Sequence, residues 1–260
     1  MFSSASPTTR VPSTLAQLRG FRLEGNVLVF QRERAGALVA QSSAFAVSQA
    51  ERNIPLPQEH PCYRKLLLLE AAHQQAQEEM SQAGILDKNF LTFEYPLSTD
   101  TGCPYYPTPM QVQARASDYL LGATDERSVV ELGGGLFVSG ATMAAMGFRV
   151  TSFELSGDLF TAGNHFLAQF PDLPELQRID TRREDFYSAD LGGFPIVYLY
   201  LWDSALAVAT RLQEKLGDEL VPGAIVVAYG NNQKDPPANK FELSHTIEHG
   251  HRSTRFYLVR

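Results

Sequence analysis

Two cysteines, Cys62 and Cys103, are all that this chain of 260 residues carries. They are too few for a disulfide scaffold and stand outside any zinc-ligand spacing, so they read as reduced thiols of a cytoplasmic protein. Long apolar runs are missing too. Purely apolar stretches such as Leu66–Leu69 fall far below the ~18 residues of a spanning helix, and no membrane partner is expected. The opening Met1-Phe2-Ser3-Ser4-Ala5-Ser6-Pro7 lacks a basic region followed by an apolar core, so no secretory signal is expected. Positive charge is scarce: 22 Lys and Arg against 29 Asp and Glu leave a formal net charge of −7. That balance argues against a broad footprint for nucleic acid and favours a small molecule or a protein as partner. There is no Gly-x-Ser-x-Gly elbow, no phosphate-binding Walker loop and no internal repeat.

What is present is a globular composition, 44% hydrophobic, and one informative stretch. Val129-Val130-Glu131-Leu132-Gly133-Gly134-Gly135 is a strand-type apolar run ending in glycines, and Glu154 follows nineteen residues after Gly135. A helical segment (138–147) and a second strand ending on Glu154 lie between them. Strand, glycine loop, helix, strand and acid together form a nucleoside-binding βαβ pattern, in which the acid accepts the ribose hydroxyls. A merely structural turn uses the glycines but has no need of the acid. Phe137 and Val138 stand where a dinucleotide site needs room for its pyrophosphate. Glu131, two residues before the first glycine, would repel phosphates but suits the cationic methionine end of S-adenosylmethionine.

On these residues the chain resembles the class I S-adenosylmethionine-dependent methyltransferase superfamily. Glu131-Leu132-Gly133-Gly134-Gly135 looks like its first motif and Glu154 like its ribose-binding acid. The resemblance implies S-adenosyl-L-methionine as cofactor and an α/β, Rossmann-like fold. That fold has a seven-stranded, mostly parallel sheet with its last strand antiparallel and helices on both faces, here preceded by an N-terminal lid or extension.

The chain divides near residue 110, into an extension (1–108) that forms a lid or substrate-binding region and a cofactor-binding domain (109–260). Residues 1 to about 15, rich in Ser, Thr and Pro, read as a flexible arm. Between Phe21 and Val47 there is strand-like alternation with turns at Glu24-Gly25-Asn26 and Ala35-Gly36, while Ala44–Arg52 fits strand or helix. A helix is expected over Tyr63–Ala83, then helices over 110–121, 157–170 and 205–216. Strands are expected over 128–132, 150–154, 176–180, 196–201 and 225–229. A final hairpin has arms 246–248 and 255–259 around His249-Gly250-His251.

In open α/β sheets ligands bind beyond the carboxyl ends of the strands. Glu131, Gly133 and Gly135 are therefore expected at the methionine part of the cofactor and Glu154 at the ribose, with Phe137 and Leu155 beside them. By the resemblance, Asp185 accepts from the adenine amine and Phe186 lies against its ring; alternatively Asp185 caps a helix and Phe186 is core. Tyr200 or Trp202 is placed to hold the sulfonium or the substrate by its aromatic face. Asp203 and Ser204 either position a nucleophile or cap the next helix, and Asn231 and Asn232 have a similar double reading. In Cys103-Pro104-Tyr105-Tyr106-Pro107-Thr108-Pro109, Tyr105 is expected at the cofactor and Tyr106 with Tyr200, Trp202 and Ser204 at the reaction; an interdomain packing loop is the alternative. His245, Glu248, His249 and His251 read as a polar turn, and no metal is expected.

Methyl transfer leads among reactions, and 198–228 with Pro107-Thr108-Pro109 resembles small methyltransferases that modify protein lysines. A second resemblance, in Pro104-Tyr105-Tyr106, Gly133-Gly134-Gly135-Leu136-Phe137 and Leu155-Ser156-Gly157, is to nicotianamine synthases. These transfer the aminocarboxypropyl arm and release methylthioadenosine. Azetidine-2-carboxylate synthases, which close that arm on itself, are a related possibility. A nucleotide-binding interaction module without catalysis stays open, as does a homodimer.

Overall fold

The computed structural model describes residues 18–34, 37–82, 108–200, 206–230 and 235–260. The alternation after residue 18 produces an antiparallel meander of β1 (Leu18–Glu24), β2 (Val27–Arg34) and β3 (Ala37–Ser43). Gly25, in the left-handed region at φ 60°, makes the first turn. Leu18, Phe21, Leu28 and Phe30 are buried on its inner face. The ambiguous alanine-rich segment is helix: α1 (Ala44–Asn53) starts where the Ser43 side chain accepts from the Ala46 N–H at 3.1 Å. After it, α2 (Tyr63–Gln82) buries Leu66, Leu69, Ala72 and Ala76.

The remaining elements alternate. They are α3 (Met110–Ala123), β4 (Ser128–Leu132), α4 (Val138–Ala145), β5 (Arg149–Phe153), α5 (Gly157–Leu167), β6 (Asp180–Arg182), β7 (Ile196–Tyr200), α6 (Leu206–Glu219), β8 (Ile225–Gly230), β9 (Phe241–His249) and β10 (Arg252–Val259). The sheet order is β6-β5-β4-β7-β8-β10-β9. The first five of these pair in parallel, and β10 runs antiparallel to both its neighbours. Alternation sorts each strand between two cores. Val129, Ile196 and Tyr198 join the side covered by α3, α4 and α5, while Val130, Val197 and Leu199 join Leu212 and Leu216 of α6 on the other.

The third parallel strand lies later than the expected 176–180. Leu173 and Leu176 enter the core three residues apart, which fits a 3-10 turn (Leu176–Arg178), and β6 begins only at Asp180. The helix expected over 157–170 closes at Leu167 and that over 138–147 at Ala145, followed by Gly147 at φ 105°.

The described part of the extension packs over the helix layer. The α2 helix touches α4, and Phe21 lies among Phe30, Phe166 and Phe170, with ring centroids 5.6–6.4 Å away. The Phe21 N–H donates to Gln169 O at 2.8 Å, and Lys65 pairs with Glu175 at 2.6 Å. Because α5 runs back from the carboxyl ends of the strands, these contacts sit at the amino end of the sheet.

Candidate functional site

Strand order reverses at β4, between β5 and β7, and the glycine loop leaves β4 at that point. Four backbone N–H groups of the loop have partners. The N–H groups of Gly133 and Gly134 donate to Phe153 O (3.0 and 2.8 Å), and that of Phe137 donates to Gly134 O (2.7 Å). The Gly135 N–H donates to Glu154 Oε2 and the Ser156 N–H to Glu154 Oε1, both at 2.7 Å. One buried carboxylate thus bridges the loops after β4 and β5 through two charge-assisted bonds. Gly133 (φ 80°) and Gly135 (φ 57°) need glycine for their backbone angles. Nothing lies within 4 Å of a Cβ built on exposed Gly133, whereas one on Gly134 would strike Ser152 Oγ and lie 2.6 Å from Phe137 Cδ1.

Phe137, expected at the cofactor, turns its ring into the core. It is fully buried, in T-shaped contact with Phe160 at 5.9 Å, and lies under Gly134 and Gly163. It also holds φ 60°, the one non-glycine positive φ among the described residues, at the start of α4. Its role is to support the loop from below.

Glu131 is likewise beneath the loop, 3% exposed. Ser152 Oγ donates to its Oε2 at 2.6 Å, and Ser139 and the Gly140 N–H also bond to it. Gly140 admits this approach, since a Cβ there would stand 2.8 Å from Oε2. Burial pushes the carboxyl up from 4.5 to about 7, against the pull of the Ser152 and Ser139 hydroxyls and with a smaller push from Glu154. Below pH 4.5 the group is protonated in both folded and unfolded chains. As pH rises through about 7 the unfolded chain ionises first, and on the order of 3 kcal/mol of relative stability is lost. Melting temperature is therefore expected to fall between pH 5 and 8, and Glu131→Gln to flatten that slope in a pH series of thermal melts.

On the far side of the loop, Leu155 is exposed. Asp185 Oδ1 accepts from the Tyr187 N–H at 2.9 Å, so its side chain closes a turn. Phe186 leans on the second core, its ring centroid 4.7 Å from Tyr187, which the Arg211 guanidinium covers at 4.2 Å. Tyr200, half-buried at the carboxyl end of β7, has its ring centroid 5.3 Å from that of Tyr229. Tyr105, Tyr106, Trp202 and Ser204 lie outside the described residues, as do Cys103, Asp203, Asn231 and Asn232. His245 stacks on Tyr119 at 4.1 Å, and His249 Nε2 is 3.1 Å from Thr254 Oγ1. Among the described residues no group of three His, Cys, Asp or Glu is placed to hold a metal ion, and no helix is long and apolar enough to cross a membrane.

Sequence reasoning missed Ser152, and Tyr198, which reads as core, is core. Both stand beside Glu131 in register, on β5 and β7, and Tyr198 Oη donates to Thr108 Oγ1 at 3.0 Å. Burial pushes the Tyr198 phenol up. The inward position of Ser152, two before Glu154, was the available signal.

No family model matches the chain, and no curated protein matches it in sequence. In three dimensions it is similar to a ribosomal-protein methylase of Lactobacillus delbrueckii subsp. bulgaricus, with TM-score 0.50 and 13% identity over 60% of this chain and 81% of that one. This likeness shows the fold, which is that of the class I methyltransferases. Two further structures are similar at lower scores. An RNA methyltransferase of Salinibacter ruber in complex with S-adenosyl-L-homocysteine has TM-score 0.46 and 21% identity over 59% of this chain and 94% of that one. A magnesium protoporphyrin IX methyltransferase of Synechocystis with bound S-adenosylmethionine has TM-score 0.45 and 14% identity over 58% and 79%.

Proposed function

We propose that the chain is a cytoplasmic S-adenosylmethionine-dependent methyltransferase acting on a small molecule or a protein side chain. The observation that carries this reading is Glu154, a buried acid at the tip of β5, anchored to the glycine loop at the point where strand order reverses. The residues present fit the cofactor: a ribose meets a carboxylate already held in orientation, and open Gly133 admits the ligand to the backbone. The adenine end is assigned to the connection bearing Asp185 and Phe186. When bound, S-adenosylmethionine supplies an electrophilic methyl on a sulfonium. The chain's residues align donor and acceptor and exclude water. Glu131, protonated in about half the molecules near pH 7, loses its proton as cationic charge arrives above it.

Titration calorimetry with S-adenosylmethionine tests the first step, and it is expected to show saturable binding with proton release that varies between buffers. Mass spectrometry of the turnover mixture tests the second. S-adenosylhomocysteine formed with an acceptor supports methyl transfer; methylthioadenosine puts aminocarboxypropyl transfer or azetidine-2-carboxylate formation in its place. A cooperatively melting protein that binds no cofactor is an interaction module.

A further inference from the structure

Further along the carboxyl edge, past β4, side chains from four strands converge. Tyr200 of β7 and Tyr229 of β8 are register partners with their rings tilted at 53°. Tyr229 meets His249 of β9 edge-on at 6.0 Å, and Arg252 of β10 is the register partner of His249. The Arg252 guanidinium carbon lies 5.9 Å from the centre of the Tyr229 ring, with Nη1 3.5 Å from the Tyr229 hydroxyl. Exposed Arg115 of α3 reaches His249 by its charge. Burial first, and then the Arg115 charge, lower the His249 pKa against the opposing effect of exposed Glu248. The cluster thus holds Arg252 and faces Arg115 in a chain whose net charge is −7. Neighbouring Arg255 is committed elsewhere, donating to Asp235 at 2.9 Å.

Resting on the methyltransferase reading, we propose that Arg115, His249 and Arg252, walled by Tyr200 and Tyr229, form the acceptor subsite, and that the acceptor is a small molecule bearing a carboxylate on a planar ring. A guanidinium fork takes a carboxylate through two parallel N–H donations, and tyrosine faces suit a flat, unsaturated body. Glu154 lies on β5, the glycine loop on β4 and the tyrosines on β7 and β8. An acceptor held on the far strands would thus approach the donor from the side away from its ribose.

The test uses the full chain, with and without S-adenosylhomocysteine. Benzoate, benzamide and inorganic phosphate are titrated while the His249 ring signals are followed by NMR. Benzoate is expected to bind and shift these signals and benzamide is not; Arg115→Gln and Arg252→Gln are each expected to weaken benzoate about tenfold or more. Arg115 is exposed, so its variant keeps the test open should Arg252→Gln fold poorly. Benzamide binding as well as benzoate, phosphate displacing benzoate at equal concentration, or unchanged affinity in both variants would each overturn the subsite. Calorimetry with S-adenosylmethionine on the same samples separates the two levels: cofactor binding without benzoate binding removes the subsite alone, and no cofactor binding removes the reading beneath it.

Discussion

Glu154→Ala is expected to weaken cofactor binding strongly and to destabilise the fold together. The carboxylate accepts from two backbone N–H groups, those of Gly135 and Ser156, in a buried setting. Alanine leaves both donors without their acceptor, a loss of about 2–4 kcal/mol, at roughly 1–3 kcal/mol for each orphaned group and less where water enters. Urea unfolding is expected to show a lower midpoint with unchanged slope, and hydrogen exchange to show faster opening at Gly135 and Ser156. Affinity for S-adenosylmethionine is expected to drop about a hundredfold or more, because ribose hydroxyls lose a charged acceptor while the loop loses its anchor. Glu154→Gln separates these effects. Its amide oxygen still serves one N–H, so part of the stability returns, while its NH2 opposes the other donor. Unchanged affinity in both variants would reduce Glu154 to a structural clamp.

The second large effect is expected at Phe137. Removing a fully buried phenyl ring to alanine costs about 3–5 kcal/mol, by lost transfer and by the cavity left behind. The loss reaches the site, since the ring separates Gly134 from Gly163 and holds the glycine loop above it. Its backbone makes a sharper test. At φ 60° a side chain is strained by roughly 1 kcal/mol and glycine is not. Phe137→Gly is therefore expected to be no less stable than Phe137→Ala, against the usual order, and Phe137→Leu to be the mildest of the three. Equilibrium unfolding of the three variants reads this directly. Glycine clearly below alanine would mean that packing alone governs the position.

How much of this was legible in the sequence varies with how local the cause was. The β4 strand falls on the predicted 128–132 because an apolar run ending in three glycines has one reading. Glu154 and the terminal hairpin were legible for the same reason: strand periodicity and turn residues act over a few positions. Leu176 was misread because the apolar cluster of Leu173, Leu176 and Ile179 looks like a strand in composition, while its spacing of three is that of a tight helical turn. Phe137 follows the glycines as a ligand contact would, and only the position of Gly163 on α5 shows that a ring has been given room below. Asp185 had two readings in sequence, ligand acceptor and local cap, and the structure adds that its Oδ1 accepts from the Tyr187 N–H two residues away. Nor does the pattern of residues 18–82 disclose which helices they pack against, α4 among them.

All eight residues of α4 are buried, between the sheet and α2, in a core that also holds Leu18, Phe21, Leu66 and Leu69. A helix buried on every side has no solvent face to spare. During synthesis the extension emerges first, but its inner surface has no partner until the ribosome has passed the ends of α4 and α5. The earlier segment thus waits, apolar face bare, for the helices that follow the glycine loop.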